Sequence, residues 1–267
     1  AVGHLQNDSL FFKTNLIEVD NANAAFYRDK LIADDLKIKK LYSRAIRELP
    51  LKLTIDSISI KNSQVKYSEK VHLENPAGVL TIKDINAGIT NISNTYFSPE
   101  KTVIIVDGIF MKNTPINVNW SFDVNDTSDQ FRFEGHAGNL ELSDMNVFLT
   151  PLLNVKVSGE VKETIFIING NFNQSEINLS QNYDNIDLTI LNKKKTRNKF
   201  LSSVANVFIN NKSGEKGELF HNVTTDATCD KTKSFFNYLA KNLKNGLLVN
   251  FTRKNNTVTK KKKKKRN

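Results

Sequence analysis

The sequence predicts a mainly β protein, an extended, twisted antiparallel sheet of repeating hairpins curled into a groove, with an amphipathic helix near the C-terminus. Three observations predict this fold. Apolar and polar residues alternate in many stretches, most regularly between Ile116 and Val124, where five apolar residues alternate with four polar ones. Turn-forming residues, such as Asn75 to Gly78, separate these stretches. One-sided alternation favours antiparallel strands, because parallel strands are usually buried on both faces.

The first predicted strands carry a weak internal repeat at an offset of 41 residues. The matching positions are Ile17 and Ile58, Val19 and Ile60, Asn21 and Asn62, and Phe26 and Tyr67. Each copy has the pattern of a strand, an Asn-centred turn and a strand with an aromatic residue. Repeated units of this kind predict a sheet that grows by addition of strands and does not close on itself.

The alternation slips by one residue at Asp56 and Ser57, between Leu53/Ile55 and Ile58/Ile60. A one-residue slip moves side chains to the opposite face unless a bulge absorbs it. We therefore expect a bulge or bend at Asp56–Ser57.

Four stretches have helical character. In residues 200–208 the apolar spacing is that of a helical face, although Val207 and Ile209 would also fit a strand. Residues 36–49 and 143–153 are predicted to be short helices or connections packed over a sheet end, and residues 231–249 form a longer amphipathic pattern. The predicted organisation is a β-groove region over residues 1–230, the amphipathic helix over 231–250 and a disordered basic tail over 251–267.

The charge is distributed unevenly. The net charge is +10, but all of the excess lies after residue 230, where there are 13 basic residues and no acidic one. The preceding 230 residues carry 25 basic and 28 acidic residues, which argues against a dedicated nucleic-acid-binding domain. The lysine tail is either a solubilising end, an attachment to an anionic membrane surface or a nucleic-acid contact. Because no aromatic residue interleaves the lysine run, we expect no nucleic-acid partner.

Residues for catalysis or metal binding are not grouped in any known motif. The four histidines are scattered, and the sequence has no glycine-rich phosphate loop, dinucleotide fingerprint or nucleophile elbow. His136 lies between two glycines where a hairpin turn is expected, and the single cysteine, Cys229, has no neighbouring histidine. We predict a protein that is not an enzyme and uses no cofactor or metal.

Three stretches, over residues 49–69, 133–153 and 157–206, together resemble the AsmA-like proteins of Gram-negative envelopes, a group related to TamB. The first has an Ile-Asp-x-Ile-x-Ile pattern leading to Val65-Lys66-Tyr67-Ser68-Glu69. The second is a strand-Gly-strand unit followed by a short connection, and the third is similar to that family's C-terminal end.

The resemblance implies a taco-shaped β-groove that moves or shields phospholipids between the two envelope membranes and maintains the outer membrane. It also implies a periplasmic location, with an inner-membrane anchor helix expected in a missing N-terminal part. The expected partners are phospholipid acyl chains and a membrane surface contacted through the C-terminal helix and lysine tail. The alternative is a structural or assembly module of the envelope that binds a partner protein.

Two sets of residues are candidates for these contacts. The groove-facing candidates are Leu51, Leu53, Ile55, Ile116, Val118, Trp120, Phe122, Val124, Phe131, Phe133, Ile186, Leu188 and Ile190. The membrane-surface candidates are Phe235, Phe236, Leu239, Leu243, Lys241 and Lys244. An ordinary sandwich core built from the groove-facing side chains is the competing interpretation.

Overall fold

The computed structural model describes residues 2–4, 10–95, 100–192, 209–214 and 219–252. These residues form one large twelve-stranded sheet that stays open, together with three α-helices. The mainly β fold, the single open sheet and the C-terminal helix of the prediction are confirmed. The predicted tail from residue 253 onward and the helical pattern of residues 200–208 lie outside the described residues.

The strands are β1 (Val2–His4), β2 (Leu10–Asp20), β3 (Asn23–Asp29), β4 (Lys52–Lys70), β5 (Gly78–Ser93), β6 (Thr102–Phe110), β7 (Thr114–Phe122), β8 (Phe131–Ala137), β9 (Leu140–Glu141), β10 (Val155–Gly170), β11 (Gln174–Ile190) and β12 (His221–Thr228). The helices are α1 (Tyr42–Arg47), α2 (Asn146–Leu153, after a 3₁₀ turn at Leu142–Met145) and α3 (Phe235–Phe251). All three lie within or next to the stretches where the sequence predicts helical character.

The strands are arranged in the order β1-β2-β4-β5-β6-β7-β8-β10-β11-β12, with β3 beside β4 and β9 beside β10. From β4 onward neighbouring strands are antiparallel, as the alternation predicts. The pairs β2–β4 and β3–β4 are parallel, which the alternation does not predict. The connection that makes this parallel return is the irregular segment and α1 between β3 and β4.

The parallel register has the same offset as the internal repeat. Ile17 lies beside Ile58, Val19 beside Ile60 and Phe26 beside Tyr67, each 41 residues apart. The two repeat asparagines, Asn21 and Asn62, adopt left-handed backbone conformations with φ of 54° and 49°, which Asn tolerates better than most residues. The two copies therefore stack side by side with their kinks aligned.

The prediction of a bulge at Asp56–Ser57 is wrong. Register passes from Ile55 to Ser57 without a shift against both β2 and β5. The register shifts of β4 against β5 lie between Ile60 and Val65 instead, around the left-handed Asn62. The irregularity in strand register therefore occurs at the backbone kink of the repeat asparagine, Asn62.

Short elements contact strands that are far apart in the sheet order. Helix α2 contacts β4, β5 and β10, although β6, β7 and β8 lie between β5 and β10. Asp34, in the segment after β3, pairs both with Arg28 of β3 and with Lys233 just before α3. The sheet therefore curls strongly enough to bring its N-terminal and C-terminal sides toward the same connecting segments.

We predict that Gly78→Ala destabilises the fold, because Gly78 of β5 is where α2 packs against the sheet. An added Cβ would lie 2.3 Å from Leu152 Cδ1 and 2.6 Å from the carbonyl oxygen of Phe148. We expect a loss of about 1–3 kcal/mol in the free energy of unfolding, measured by urea denaturation.

Gly88→Ala is the matched control on the same strand, because a Cβ there has no neighbour within 4 Å. Equal urea-denaturation midpoints for Gly78→Ala and Gly88→Ala would contradict the close approach of α2 to Gly78.

Candidate functional site: two apolar rows across the sheet

Cross-strand register lines up apolar residues into two continuous rows that cross the sheet from β2 to its C-terminal strands. Row A consists of Ile17, Ile58, Ile89, Ile104, Trp120, Phe133, Ile168 and Ile177. Row B consists of Val19, Ile60, Ala87, Val106, Val118, Gly135, Phe166, Leu179 and Val223. Because side chains alternate between faces along each strand, the two rows lie on the same face, two residues apart.

Burial along the rows is uneven. At the C-terminal end Ile168, Ile177 and Leu179 are 0%, 0% and 1% exposed. Toward the N-terminal end, on β2 and β4 to β6, the row residues are only half-buried. The same apolar face is therefore closed at one end and accessible at the other.

Helix α3 closes the C-terminal end by packing on β11 and β12. Phe235 reaches across to β7 and β8, where its ring stacks on Trp120 at 4.6 Å and meets Phe131 edge-on at 5.0 Å between centroids. Gly246 lets the helix approach closely, since a Cβ there would lie 3.1 Å from Leu179 Cδ2. These contacts make α3 part of the hydrophobic core.

Buried polar side chains fix α3 on the sheet. Asn242 is 0% exposed, and its Oδ1 accepts a hydrogen bond of 2.9 Å from Ser175 Oγ of β11. Asn250 is also 0% exposed, and its Nδ2 donates to the carbonyl oxygen of His221 at 2.9 Å. The carbonyl oxygen of Asn250 accepts from Tyr183 Oη at 3.1 Å. Because buried polar groups require their partners, these bonds hold the helix in one register.

The structure brings most of the predicted groove residues together. Ile116, Val118, Trp120, Phe122, Phe131 and Phe133 share one face of β7 and β8, and Val124 is buried in the same cluster. Trp120, Phe122 and Phe131 belong to the core around α3, so they are packed and do not line an open groove.

The remaining groove candidates lie elsewhere. Ile186 belongs to a second, smaller cluster with Val161 and Tyr183. Leu188 and Ile190 pair with Val157 and Val155 at the far end of β11. Leu51, Leu53 and Ile55 lie at the start of β4, where Ile55 is 8% exposed.

The placement of α3 corrects the expectation for the membrane-surface residues. Phe235 and Leu239 are buried and Leu243 packs against the same core, so the sheet occupies the face that was assigned to a membrane. Phe236 remains 59% exposed. Lys241 donates a hydrogen bond to the carbonyl oxygen of Thr228, and Lys244 is exposed.

Sequence reasoning missed the accessible half of the rows. The sequence identifies Ile58 and Ile60 as repeat positions but not as groove residues, and it assigns Ile89, Ile104 and Val106 to no face. In β6 the unbroken apolar run from Val103 to Val106 hides the alternation. The offset of 41 was the available signal, because it identifies the register that joins Ile17 to Ile58.

A polar pocket of about 530 Å³ lies at the β10–β11 turn and the end of β12, lined by side chains that include Asn169, Gln174, Glu176 and Asp226. None of the predicted groove residues lines it. Within the described ranges, no group of three or more His, Cys, Asp or Glu side chains is arranged to hold a metal ion.

In comparisons with known proteins, no family model, curated protein or solved structure matches this chain. Among the described helices, none has the length and apolar character needed to cross a membrane. The similarity to AsmA-like proteins therefore remains a hypothesis that depends on the order of the three sequence stretches.

We predict that Phe235→Ala costs about 3–5 kcal/mol of unfolding free energy, because it removes the ring that joins α3 to Trp120 and Phe131. Chemical denaturation measures this loss. The adjacent Phe236→Ala is the control and should change the free energy by about 0.5 kcal/mol or less, since Phe236 is 59% exposed. The reverse order would mean that α3 presents its other face to the sheet.

Burial between α3 and the sheet raises the pKa of Tyr238, a residue of α3, from 10.0 to about 12. The buried phenol is favoured in its neutral form, so its contribution to stability is complete below pH 10 and is lost as the pH rises toward 12. Tyr238→Phe should remove this part of the alkaline loss of stability, measured as unfolding free energy across that range. Parallel pH curves for the two proteins would contradict the assignment.

Proposed function

We propose that this chain is a non-enzymatic lipid-binding protein of the cell envelope, whose open apolar rows shelter phospholipid acyl chains during transfer or storage between membranes. The proposal takes its location and ligand class from the resemblance to AsmA-like proteins. The observation that supports the proposal most directly is the uneven burial of rows A and B.

The accessible half of the rows has the chemistry that acyl chains require. Its side chains are aliphatic, from Ile17 and Val19 at the edge to Ile104 and Val106 in the middle of the sheet. Acyl chains bind by contact with apolar surface and need no directional hydrogen bonds. Contiguous apolar surface of this kind is unusual on a soluble protein unless a ligand or partner covers it.

The curvature of the sheet favours a ligand along the rows. Helix α2 contacts both sides of the sheet beyond the rows at one end of the strands. At the other end α1 approaches β7, where the Tyr42 ring lies 5.1 Å from the Trp120 ring between centroids. An extended acyl chain would lie along the half-buried residues between these two helices, with its headgroup in water.

A partner-binding module is the second candidate, and one observation favours it. From residue 14 to residue 29, the edge formed by the described residues of β2 and β3 pairs with β4 on one side only. Leu16, Phe26 and Tyr27 on this edge are 50%, 59% and 64% exposed. A free edge with exposed apolar side chains is suited to pairing with a strand of another protein.

We predict that Val106→Glu abolishes phospholipid binding, because Val106 lies in the accessible part of row B and a carboxylate there opposes an acyl chain. Native mass spectrometry after incubation with phosphatidylethanolamine measures bound lipid. Ile105→Glu is the matched control, since Ile105 points to the opposite face of the same strand and is 46% exposed. It should retain lipid.

Urea denaturation of each variant checks that it is folded. If Val106→Glu does not fold, Val106→Thr keeps the side-chain shape while replacing a methyl group with a hydroxyl, and it should still reduce lipid occupancy. Equal lipid binding by the Val106 and Ile105 variants, or a wild-type protein that carries a stoichiometric protein partner and no lipid, would contradict the proposal.

A further inference from the structure

The outer side of the edge formed by β2 and β3 carries backbone groups that have no strand partner among the described residues. The Asn21 amide donates toward β4, to the carbonyl oxygen of Lys61 at 3.1 Å. The carbonyl oxygen of Ala22 also faces β4 and accepts from the Gln64 amide at 2.8 Å. Because peptide groups alternate in direction along a strand, the residues flanking Asn21 and Ala22, and every second one beyond, point outward. These outward residues are Thr14, Leu16, Glu18, Asp20, Asn23, Ala25, Tyr27 and Asp29.

The pairing of β4 with β5 shows how a strand with such a kink meets an antiparallel neighbour. Asn62 of β4 and Asp84 of β5 both have left-handed backbones, with φ of 49° and 50°. They lie beside each other, in the stretch where the register is irregular. On both sides of this stretch the register is the same, as the pairs Ile58 with Ile89, Ile60 with Ala87 and Val65 with Ile82 show. Two adjacent kinks therefore leave the overall register intact.

The internal repeat transfers this arrangement to the free edge. Asn21, with φ of 54°, corresponds to Asn62 at the offset of 41, and Asn21 of a second copy can take the place of Asp84. The edges of the two copies then run antiparallel about a two-fold axis close to Asn21 and Ala22. The resulting pairs are Ile17 with Phe26 and Val19 with Ala24, in the places of Ile58 with Ile89 and Ile60 with Ala87.

This register also sets outward-pointing residues of one copy against outward-pointing residues of the other. The pairs are Thr14 with Asp29, Leu16 with Tyr27, Glu18 with Ala25 and Asp20 with Asn23. Residues opposed in this orientation exchange two backbone hydrogen bonds. The outward amide and carbonyl groups of residues 14–29 would thus be satisfied between two copies, whereas a shift by one residue would set them against inward-pointing neighbours.

The apolar side chains of β3 lie on the face that carries rows A and B. Ala24 lies beside Val65 of β4, which lies opposite Ile82 of β5. Ile82 Cγ2 lies 3.1 Å from the place of a Cβ on Gly108, two positions beyond the row B residue of β6. Phe26 shares the face of Ala24, because side chains alternate along the strand. The apolar contacts between copies would therefore join the rows of one copy to those of the other.

The side chains outside the rows are compatible with this pairing. Leu16 and Tyr27, 50% and 64% exposed, would cover each other on the opposite face. Each acidic residue of the span faces an uncharged one, so like charges are not directly opposed. Just beyond the span Lys13 would approach Lys30, whose charge is neutralised by Glu69 at 2.6 Å.

We propose that two copies of this chain pair through β2 and β3, antiparallel about a two-fold axis, and join their twelve-stranded sheets into one. A second copy is the occupant because backbone direction, kink position and side-chain pairs are self-complementary in a single register. A strand of another protein would have to supply a kink at the matching position. The inference goes beyond the proposed function, since this pairing uses backbone groups and needs no lipid.

Disulfide trapping of the full chain tests the register. In a Cys229→Ala background, one preparation carries Val19→Cys and a second carries Ala24→Cys. Opposed residues of this kind have Cα atoms about 4.5 Å apart, within the range of a disulfide. Under mild oxidation the mixture should give a covalent dimer, and neither variant alone should do so. Val19→Cys mixed with Ala25→Cys is the matched control and should stay uncross-linked, because Ala25 lies on the other face.

Sedimentation velocity over a concentration series tests the strength of the pairing. The wild type should show a monomer–dimer equilibrium. Ala25→Pro removes an outward amide while leaving the bonds to β4, and proline is tolerated on an edge strand in this orientation. It should raise the dimer dissociation constant at least about tenfold, because the lost donor occurs twice in each dimer. An unchanged urea-denaturation midpoint shows that the variant is folded, and the trapping experiment does not depend on it.

Four outcomes would overturn the inference. A wild type that stays monomeric at every concentration would show that the edges do not pair. Equal cross-linking of the Ala24→Cys and Ala25→Cys mixtures would exclude the register. A dimer of unchanged affinity in a folded Ala25→Pro variant would place the contact elsewhere. A stoichiometric complex with another protein, lost in Ala25→Pro, would assign the edge to a foreign strand.

The dimer and the lipid function fail separately. Ala25→Pro should still bind phosphatidylethanolamine as a monomer, whereas Val106→Glu should still form the dimer. Dimer formation without lipid uptake in the wild type would remove the lipid function and leave the paired edge. Lipid uptake by a wild type that remains monomeric would do the reverse.

Discussion

One apolar face of the sheet must be shielded from water, and the rest of this structure depends on that requirement. Register aligns two apolar rows across at least eight strands, and a surface of that length in water requires something to lie on it. Helix α3 meets this requirement for the strands at the C-terminal end. A helix of 17 residues is about 25 Å long and cannot extend across the remaining strands as well. The half-buried part of the face follows from this mismatch between a long sheet and the one long helix among the described residues.

The N-terminal strands show how such a face is extended. The second copy of the repeat lies beside the first in parallel, so Ile17 and Val19 continue the rows that Ile58 and Ile60 already form. Asn62 Nδ2 donates to Asp20 Oδ1 at 2.9 Å, which links the two kinks across the strands. A repeat that carries its own kink can be added without changing the register of the strand that receives it.

Local patterns account for much of this fold, because a strand with one wet face must alternate. The stretch from Ile116 to Val124 therefore predicts β7 and its buried face, and the helical pattern after Lys231 predicts α3. Periodicity does not show which element covers each apolar face, because that depends on tertiary packing. The apolar side of α3 has the same pattern whether it meets a membrane or a sheet, and Phe235 meets Trp120. The parallel pairing was likewise hidden, since only the repeat offset encodes it.

The buried asparagines of α3 help to determine whether the accessible part of rows A and B stays accessible. A purely apolar helix would slide along the rows at little cost, because one aliphatic contact replaces another. Asn242 and Asn250 lose their partners on β11 and β12 if the helix moves, and an unpaired buried amide costs about 1–3 kcal/mol. Two such anchors, about two turns apart, oppose both translation and rotation. Helix α3 therefore acts as a fixed wall of the apolar face, and access to the remaining rows does not depend on its displacement.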